Sequence, residues 1–236
     1  PQSLAANGDR VSVILPLYQS VADAWRDRLH FERYTYVRLA WRSLYCGLFS
    51  YERQGVTWYF VDNEQYFKRP ELYGYYDDGE RFAFFCRAVT ELLPLLPEKP
   101  DVVHCNDWQT ALVPVYIRDE AVREEFYKSV RTVITVHNIE YQGRYGRETV
   151  EDLFGLDAGW FTGGTLAFDG DVNLLKGAIL CADAVNAQPS MPGSVLDERD
   201  QCHHDHFTDT HPDTNWESCL EHGVKLGLGT REYELI

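Results

Sequence analysis

Asp101-Val-Val-His-Cys-Asn-Asp-Trp108 and Thr132-Val-Ile-Thr-Val-His-Asn-Ile-Glu-Tyr-Gln-Gly143 decide the fold. Each is a short β-branched run that stops at residues able to hydrogen-bond or titrate. Thr132 to Val136 is apolar on both sides, the pattern of a strand covered on both faces in a parallel sheet. His137 and Asp107 therefore follow the carboxyl ends of two strands, and in open α/β sheets ligands bind outside those ends. A polar crevice of sugar or nucleotide size is expected there.

Working outward, the Asp101–Cys105 strand, a helix from Trp108 to about Arg118 and the Thr132–Val136 strand make a β-α-β unit with a right-handed crossover. Asp78-Gly-Glu80 opens the strongest helix. Its apolar residues Phe82, Phe85, Val89, Leu92, Leu93 and Leu96 keep a period near 3.6, so one face is expected on a sheet, with Pro97 and Pro100 ending it. Tyr34 to Val61 reads as antiparallel strands with a turn at Gln54-Gly55, followed by a Tyr-rich loop from Asp62 to Gly79. Pro1 to Ala6 reads as the end of a helix, stopped at Asn7-Gly8, before a strand from Val11 to Leu15. A helix from about Val172 to Cys181 leads to a strand at Ala184–Ala187, and the alternation predicts a doubly wound α/β sheet.

After Gln188 the character changes. Residues 188–236 sustain no period of 2 or 3.6 and hold five of the eight histidines: His203, His204, His206, His211 and His222. They are read as a divergent tail outside the packed sheet. Within it Cys202, His206, Cys219 and His222 form a C-x3-H…C-x2-H pattern that could hold zinc tetrahedrally. The flanking residues carry no core pattern, so no metal site is expected.

Composition narrows the function. A chain with 44% hydrophobic and 14% aromatic residues is globular. Its net charge of −15 opposes a phosphate-backbone binder, which needs clustered Lys and Arg, so no nucleic-acid partner is expected. No stretch supplies the roughly 18 apolar residues of a membrane span, and the amino terminus carries no leader pattern. The six cysteines make no C-x-x-C pair, and four lie in apolar runs, which fits reduced core thiols in a cytoplasmic protein.

Several segments now read together. Tyr45-Cys-Gly-Leu-Phe49, Tyr59-Phe-Val-Asp-Asn63, Tyr66-Phe-Lys-Arg-Pro-Glu-Leu-Tyr-Gly74, Glu80-Arg-Phe-Ala-Phe-Phe85, His104-Cys-Asn-Asp-Trp108, Val136-His-Asn-Ile-Glu-Tyr-Gln-Gly143 and Val172-Asn-Leu-Leu-Lys-Gly177 occur in that order. Over residues 1 to about 187 the chain resembles the amino-terminal, acceptor-side half of bacterial glycogen synthases and plant starch synthases. The resemblance implies one Rossmann-like lobe of a GT-B glycosyltransferase with an antiparallel β insertion near residues 34–61. It also implies transfer of glucose from ADP-glucose to the non-reducing end of an α-1,4-glucan, with no further cofactor. Such enzymes open with a strand and a Lys-x-Gly-Gly-Leu loop, and carry a second, carboxyl-terminal lobe that supplies most nucleotide contacts. The sequence matches from the helix after that loop, so the first strand and the second lobe are expected to be missing. On that reading the chain alone is inactive, with unpaired strand edges that make the fold marginal.

The resemblance also distributes roles. His137 bonds the hydroxyl at C6 of the transferred glucose, and its backbone carbonyl faces the anomeric carbon. Asp107, by type a helix N-cap, bonds sugar or acceptor hydroxyls; Asn173, also a cap by position, reaches the glucose with its amide. Asn138, Tyr141 and Gln142 shape the crevice wall, Tyr75 and Tyr73 suit stacking on glucan rings, and Lys176 is read as structural or solvated. Two alternatives stay open: a glucan-binding remnant without catalysis, and a metal hydrolase using His104, Asp107 and His137.

Overall fold

The computed structural model describes residues 1–187, which form two compact units: residues 1–97 with 148–158, and residues 98–147 with 159–187. The Cys202, His206, Cys219 and His222 pattern lies outside the described residues.

The first unit runs α1 (Gln2–Ala6), β1 (Val11–Pro16), α2 (Gln19–Trp25), β2 (His30–Leu39), β3 (Arg42–Arg53), β4 (Val56–Asp62), α3 (Glu64–Phe67) and α4 (Asp78–Leu92). Its sheet has the order β1-β4-β3-β2, with β1 parallel to β4 and the other pairs antiparallel. Gln54 and Gly55 join Arg53 to Val56 with φ of 52° and 74°. Two positive-φ residues in a two-residue loop match the right-handed twist of the flanking strands. Period-2 alternation divides β2: Val37 and Leu39 are buried on the side that α4 packs against, while Tyr34 and Tyr36 are exposed.

Helix α4 differs from the amphipathic expectation, because it is buried nearly all round. Phe84 packs against Tyr66 and Phe67 of α3. Arg81 is fully buried. Its Nε donates to the Tyr66 carbonyl at 2.8 Å, and its guanidinium pairs with Asp78. A buried charge is tolerable only with such partners. The helix stops at Leu92, before a 3-10 turn at Leu93–Leu95, because Pro94 brings no N–H to continue the ladder.

The second unit contains β5 (Val102–Asn106), α5 (Leu112–Glu120), β6 (Arg131–Val136), β7 (Arg144–Tyr145), β8 (Ala167–Phe168), β9 (Asp171–Asn173), a helix at Leu174–Cys181, and β10 (Ala184–Ala187). β10, β6 and β5 form a wholly parallel sheet with β6 in the centre; β7, β9 and β8 form a small antiparallel one. The α/β expectation holds. Helix α5 begins at Leu112 rather than Trp108, because Trp108–Thr110 is a 3-10 turn. The last helix begins at Leu174, because Val172 and Asn173 pair in β9.

That last helix packs on α5. Gly177 lets Leu166 close against that helix, since a Cβ there would lie 2.4 Å from Leu166 Cδ2. Lys176 is 2% exposed, and its Nζ donates to the carbonyls of Gly164 at 2.9 Å and Ala167 at 2.6 Å. It ties the β7–β9 connection down, and burial lowers its pKa. At the amino end of β6, the Asp183 carboxylate accepts from the Thr132 N–H at 2.8 Å and from Arg131 at 2.7 Å. These bonds outweigh desolvation and lower its pKa.

Cys46, Cys86, Cys105 and Cys181 are buried thiols. Burial pushes Cys46 and Cys105 up to about 12 and Cys181 to about 11, which leaves them as apolar packing groups. Among the described residues no helix is long and apolar enough to cross a membrane.

Candidate functional site at the β5 and β6 strand ends

The register of β5 against β6 pairs Asn106 with Thr135, so both strands deliver their next residues to the same edge of the sheet. The Asp107 N–H donates to the Thr135 carbonyl at 2.9 Å, and this is the last rung of the ladder. There Asp107 takes φ 57° and ψ −176°. This is backbone space that is essentially reserved for glycine and costs about 1–3 kcal/mol. Thr110 holds the turn from behind: its hydroxyl accepts from the Asn106 N–H and donates to the Asn106 carbonyl, both at 2.7 Å.

What this conformation gains is the placement of the carboxylate. Asp107 Oδ1 accepts the His137 N–H at 2.7 Å and the Asn138 N–H at 3.3 Å. The helix-cap role that its position predicts is not taken, for its side chain makes no capping bond. Alongside, the His137 ring and the Asn106 amide meet, Nε2 to Oδ1, at 2.9 Å. With the Asn106 oxygen facing the ring, Nε2 carries the proton. His104 continues the row, its Nε2 2.7 Å from Thr135 Oγ1. Desolvation of the ring, and secondarily the charge on His137, lower the pKa of His104.

The loop after His137 is built to hold its shape. The Asn138 side-chain oxygen accepts the Glu140 N–H at 3.0 Å, and Gln142 donates to the Ile139 carbonyl at 3.0 Å. The carbonyls of Gly143 and Gln142 accept the N–H groups of Leu174 and Leu175 at 3.1 and 3.0 Å. The loop is thereby fastened to the start of the last helix. Gly143 has φ 64°, and a Cβ there would come within 2.9 Å of Trp108 and 3.2 Å of Leu174.

Asn173 completes that helix start. Its oxygen accepts the Lys176 N–H at 2.9 Å, its amide donates to Gln142 Oε1 at 2.6 Å, and it is 1% exposed. Of the expected residues, Asp107, His137 and Asn138 meet at the strand ends. Asn173 stands behind Gln142 as cap and brace, and Tyr141 is exposed. Asn106, Thr110 and Thr135 went unnamed as site residues, although Asn106 sits inside the quoted motif. Among the described residues no group of three or more His, Cys, Asp or Glu side chains could hold a metal ion, so the His104, Asp107 and His137 alternative has no metal cluster to rest on.

Tyr75 belongs to the first unit. Its hydroxyl accepts the Glu71 N–H at 3.0 Å, and its ring lies under the guanidinium groups of Arg69 and Arg81, 4.9 and 4.8 Å from its centroid. Arg69 grips Asp77 with two bonds of 2.6 and 2.7 Å, and this pairing lowers the pKa of Asp77. Tyr73 and Tyr76 are exposed on the same loop.

The pattern of the starch synthase catalytic domain matches residues 1–207. The glycogen synthase of Geobacillus stearothermophilus is 45% identical over 185 residues, 78% of this chain and 38% of that protein. That of Lactobacillus acidophilus is 44% identical over 185 residues, 78% of this chain and 39% of that protein. Among solved structures, the catalytic domain of starch synthase IV from Arabidopsis thaliana bound to ADP and acarbose superposes with a TM-score of 0.67. It is 30% identical, over 78% of this chain and 38% of that one. The chain therefore spans less than two fifths of the length of these relatives.

Proposed function

The chain belongs to the starch synthase catalytic domain family, and from that premise we propose that it forms the acceptor-side GT-B lobe of a cytoplasmic retaining glucosyltransferase. The enzyme moves glucose from ADP-glucose to the non-reducing end of an α-1,4-glucan. The carrying observation is the Asp107 carboxylate holding the His137 and Asn138 N–H groups at the carboxyl end of a parallel sheet. ADP and acarbose, a nucleotide and an oligosaccharide mimic, are bound by the Arabidopsis relative, which supports the same two ligand classes here.

In this reading the bond from glucose C1 to the ADP oxygen breaks, and the acceptor C4 oxygen bonds to C1 on the same face. The acceptor proton passes to the departing phosphate. His137 presents its carbonyl oxygen to the carbon that becomes electron-poor, a fixed dipole of the kind that stabilises a transition state without reorganisation. Its ring, held by Asn106, bonds the glucose C6 hydroxyl. Asp107 acts chiefly by holding the His137–Asn138 backbone. Gln142 and Asn138 line the wall, Asn173 braces it, and Tyr75 offers an aromatic face to the glucan. Strands β2 to β4 are the antiparallel insertion of this lobe. In the intact enzyme a second lobe supplies most of the nucleotide contacts.

A chimera tests this: residues 1–187 replace the matching segment of the Geobacillus stearothermophilus glycogen synthase. The expected result is ADP-glucose-dependent glucan extension that falls at least about 100-fold in His137→Ala. A folded chimera that binds ADP-glucose but extends no glucan, or one indifferent to His137→Ala, overturns the proposal.

A further inference from the structure

The first unit carries an aromatic group that the strand-end site does not use. Tyr34 and Tyr36 stand two residues apart on β2, so they share a face. Tyr36 pairs with Tyr45 of β3, and Tyr34 pairs with Gly47. The three rings lie in a near-equilateral triangle, with centroids 6.4 Å (Tyr34 to Tyr36), 6.2 Å (Tyr34 to Tyr45) and 6.4 Å (Tyr36 to Tyr45) apart. They are 62%, 60% and 39% exposed. Gly47 makes the arrangement, because a Cβ there would lie 2.7 Å from the Tyr45 hydroxyl and 3.2 Å from Asp62 Cβ. Farther along β3 the same face is occupied: Trp25 packs on Tyr51, and Arg26 lies over Phe49 and pairs with Asp62 of β4 at 3.7 Å. The tyrosine end is left open.

We propose that Tyr34, Tyr36 and Tyr45 form a platform that holds an α-1,4-glucan chain. The choice of glucan rests on the glucan-extending reading above. Three features select it. Each phenol offers an apolar ring face and a hydroxyl, which suits a pyranose with one apolar face and a rim of hydroxyls. Beside Tyr45, Arg26 and Asp62 cancel as a pair, and the exposed Arg38, two residues along from Tyr36 on β2, offers donors that suit sugar hydroxyls. The rings together expose on the order of 300 Å², well short of the roughly 800 Å² per partner of a stable protein interface. That size fits a short run of sugar rings and not a second protein. In function the platform keeps a long polymer on the enzyme between additions.

The test is native gel electrophoresis of the full chain with and without glycogen cast in the gel, and with dextran as the control polymer. Wild type is expected to be retarded by glycogen and not by dextran. The exposed double variant Tyr34→Ser with Tyr36→Ser is expected to lose about 10-fold or more in affinity. Gly47→Ala, which keeps all three rings but displaces Tyr45, is expected to weaken binding as well. Equal retardation of wild type and the double variant overturns the proposal, as does a wild type that glycogen does not retard. So does a double variant whose only change, by sedimentation, is loss of self-association. Because no ADP-glucose is needed, glycogen retention with an inactive chimera sinks the transferase reading alone, and an active chimera without platform binding sinks this one alone.

Discussion

Asp107 holds His137 by its backbone, Oδ1 to N–H at 2.7 Å, and the same oxygen reaches the next N–H, that of Asn138, at 3.3 Å. The second bond matters for chemistry. A trans amide sets its N–H and C=O antiparallel, so the carboxylate that draws the Asn138 N–H inward turns the His137 carbonyl outward from the strand ends. The carbonyl assigned to the anomeric carbon is thus aimed by a residue one strand away.

Asp107→Gly separates aim from stability. Glycine accepts φ 57° and ψ −176° without strain, which recovers about 1–3 kcal/mol, while the lost charge-assisted bonds cost about 1.5–3 kcal/mol. Urea denaturation is expected to show a change under about 2 kcal/mol. Transfer by the chimera is expected to fall about 100-fold or more. Retained transfer would show that the carboxylate does not aim the carbonyl.

Asn106 is predicted to act through the His137 ring. Asn106→Ala removes the 2.9 Å partner and is expected to lower kcat about 10-fold with little change in the ADP-glucose KM. Asn106→Asp keeps an acceptor facing Nε2 and is expected to restore most of the lost kcat. A KM effect alone, or no rescue by Asn106→Asp, contradicts this role.

His104 makes the fold acid-sensitive. Its pKa is lowered in the folded state by desolvation and then by His137, against an unfolded value of about 6.5. The unfolded chain therefore takes up this proton first, and stability declines as pH falls from about 6.5 through the folded pKa. Denaturation midpoints between pH 7.5 and 5 should show that decline, and His104→Gln should flatten it. An unchanged slope in His104→Gln would refute the assignment.

Lys176 and Asn173 are predicted to support stability first. Lys176→Met strips two carbonyls of their donor and is expected to cost roughly 2 kcal/mol. Asn173→Ala removes the cap on Lys176, at about 1 kcal/mol, and frees Gln142. Thermal melts that match wild type for both variants would contradict this.

The parallel sheet was legible because β-branched runs such as Thr132–Val136 are buried on both faces and end abruptly in polar residues. His137 and Asp107 could be placed at strand ends for the same reason. The Asp107 backbone could not, because positive φ at a non-glycine depends on what the side chain reaches, here a neighbouring strand 30 residues on. Asn173 was legible as a cap from its position alone, whereas its amide's bond to Gln142 is a tertiary fact. The small β7–β9–β8 sheet was missed because two- and three-residue strands are too short to show a period. Helix α4 reads as amphipathic because Phe82, Phe85, Val89 and Leu92 keep a period near 3.6, and only the fold supplies Asp78 and the Tyr66 carbonyl that let Arg81 be buried as well.

The most direct measurement is a crystal structure of the chimera with ADP and acarbose. The account predicts a sugar ring at the β5 and β6 strand ends, faced by the His137 carbonyl, with the Asp107 carboxylate still on the His137 and Asn138 N–H groups. A sugar bound elsewhere, or an Asp107 carboxylate released from that backbone to bond the sugar itself, would contradict it.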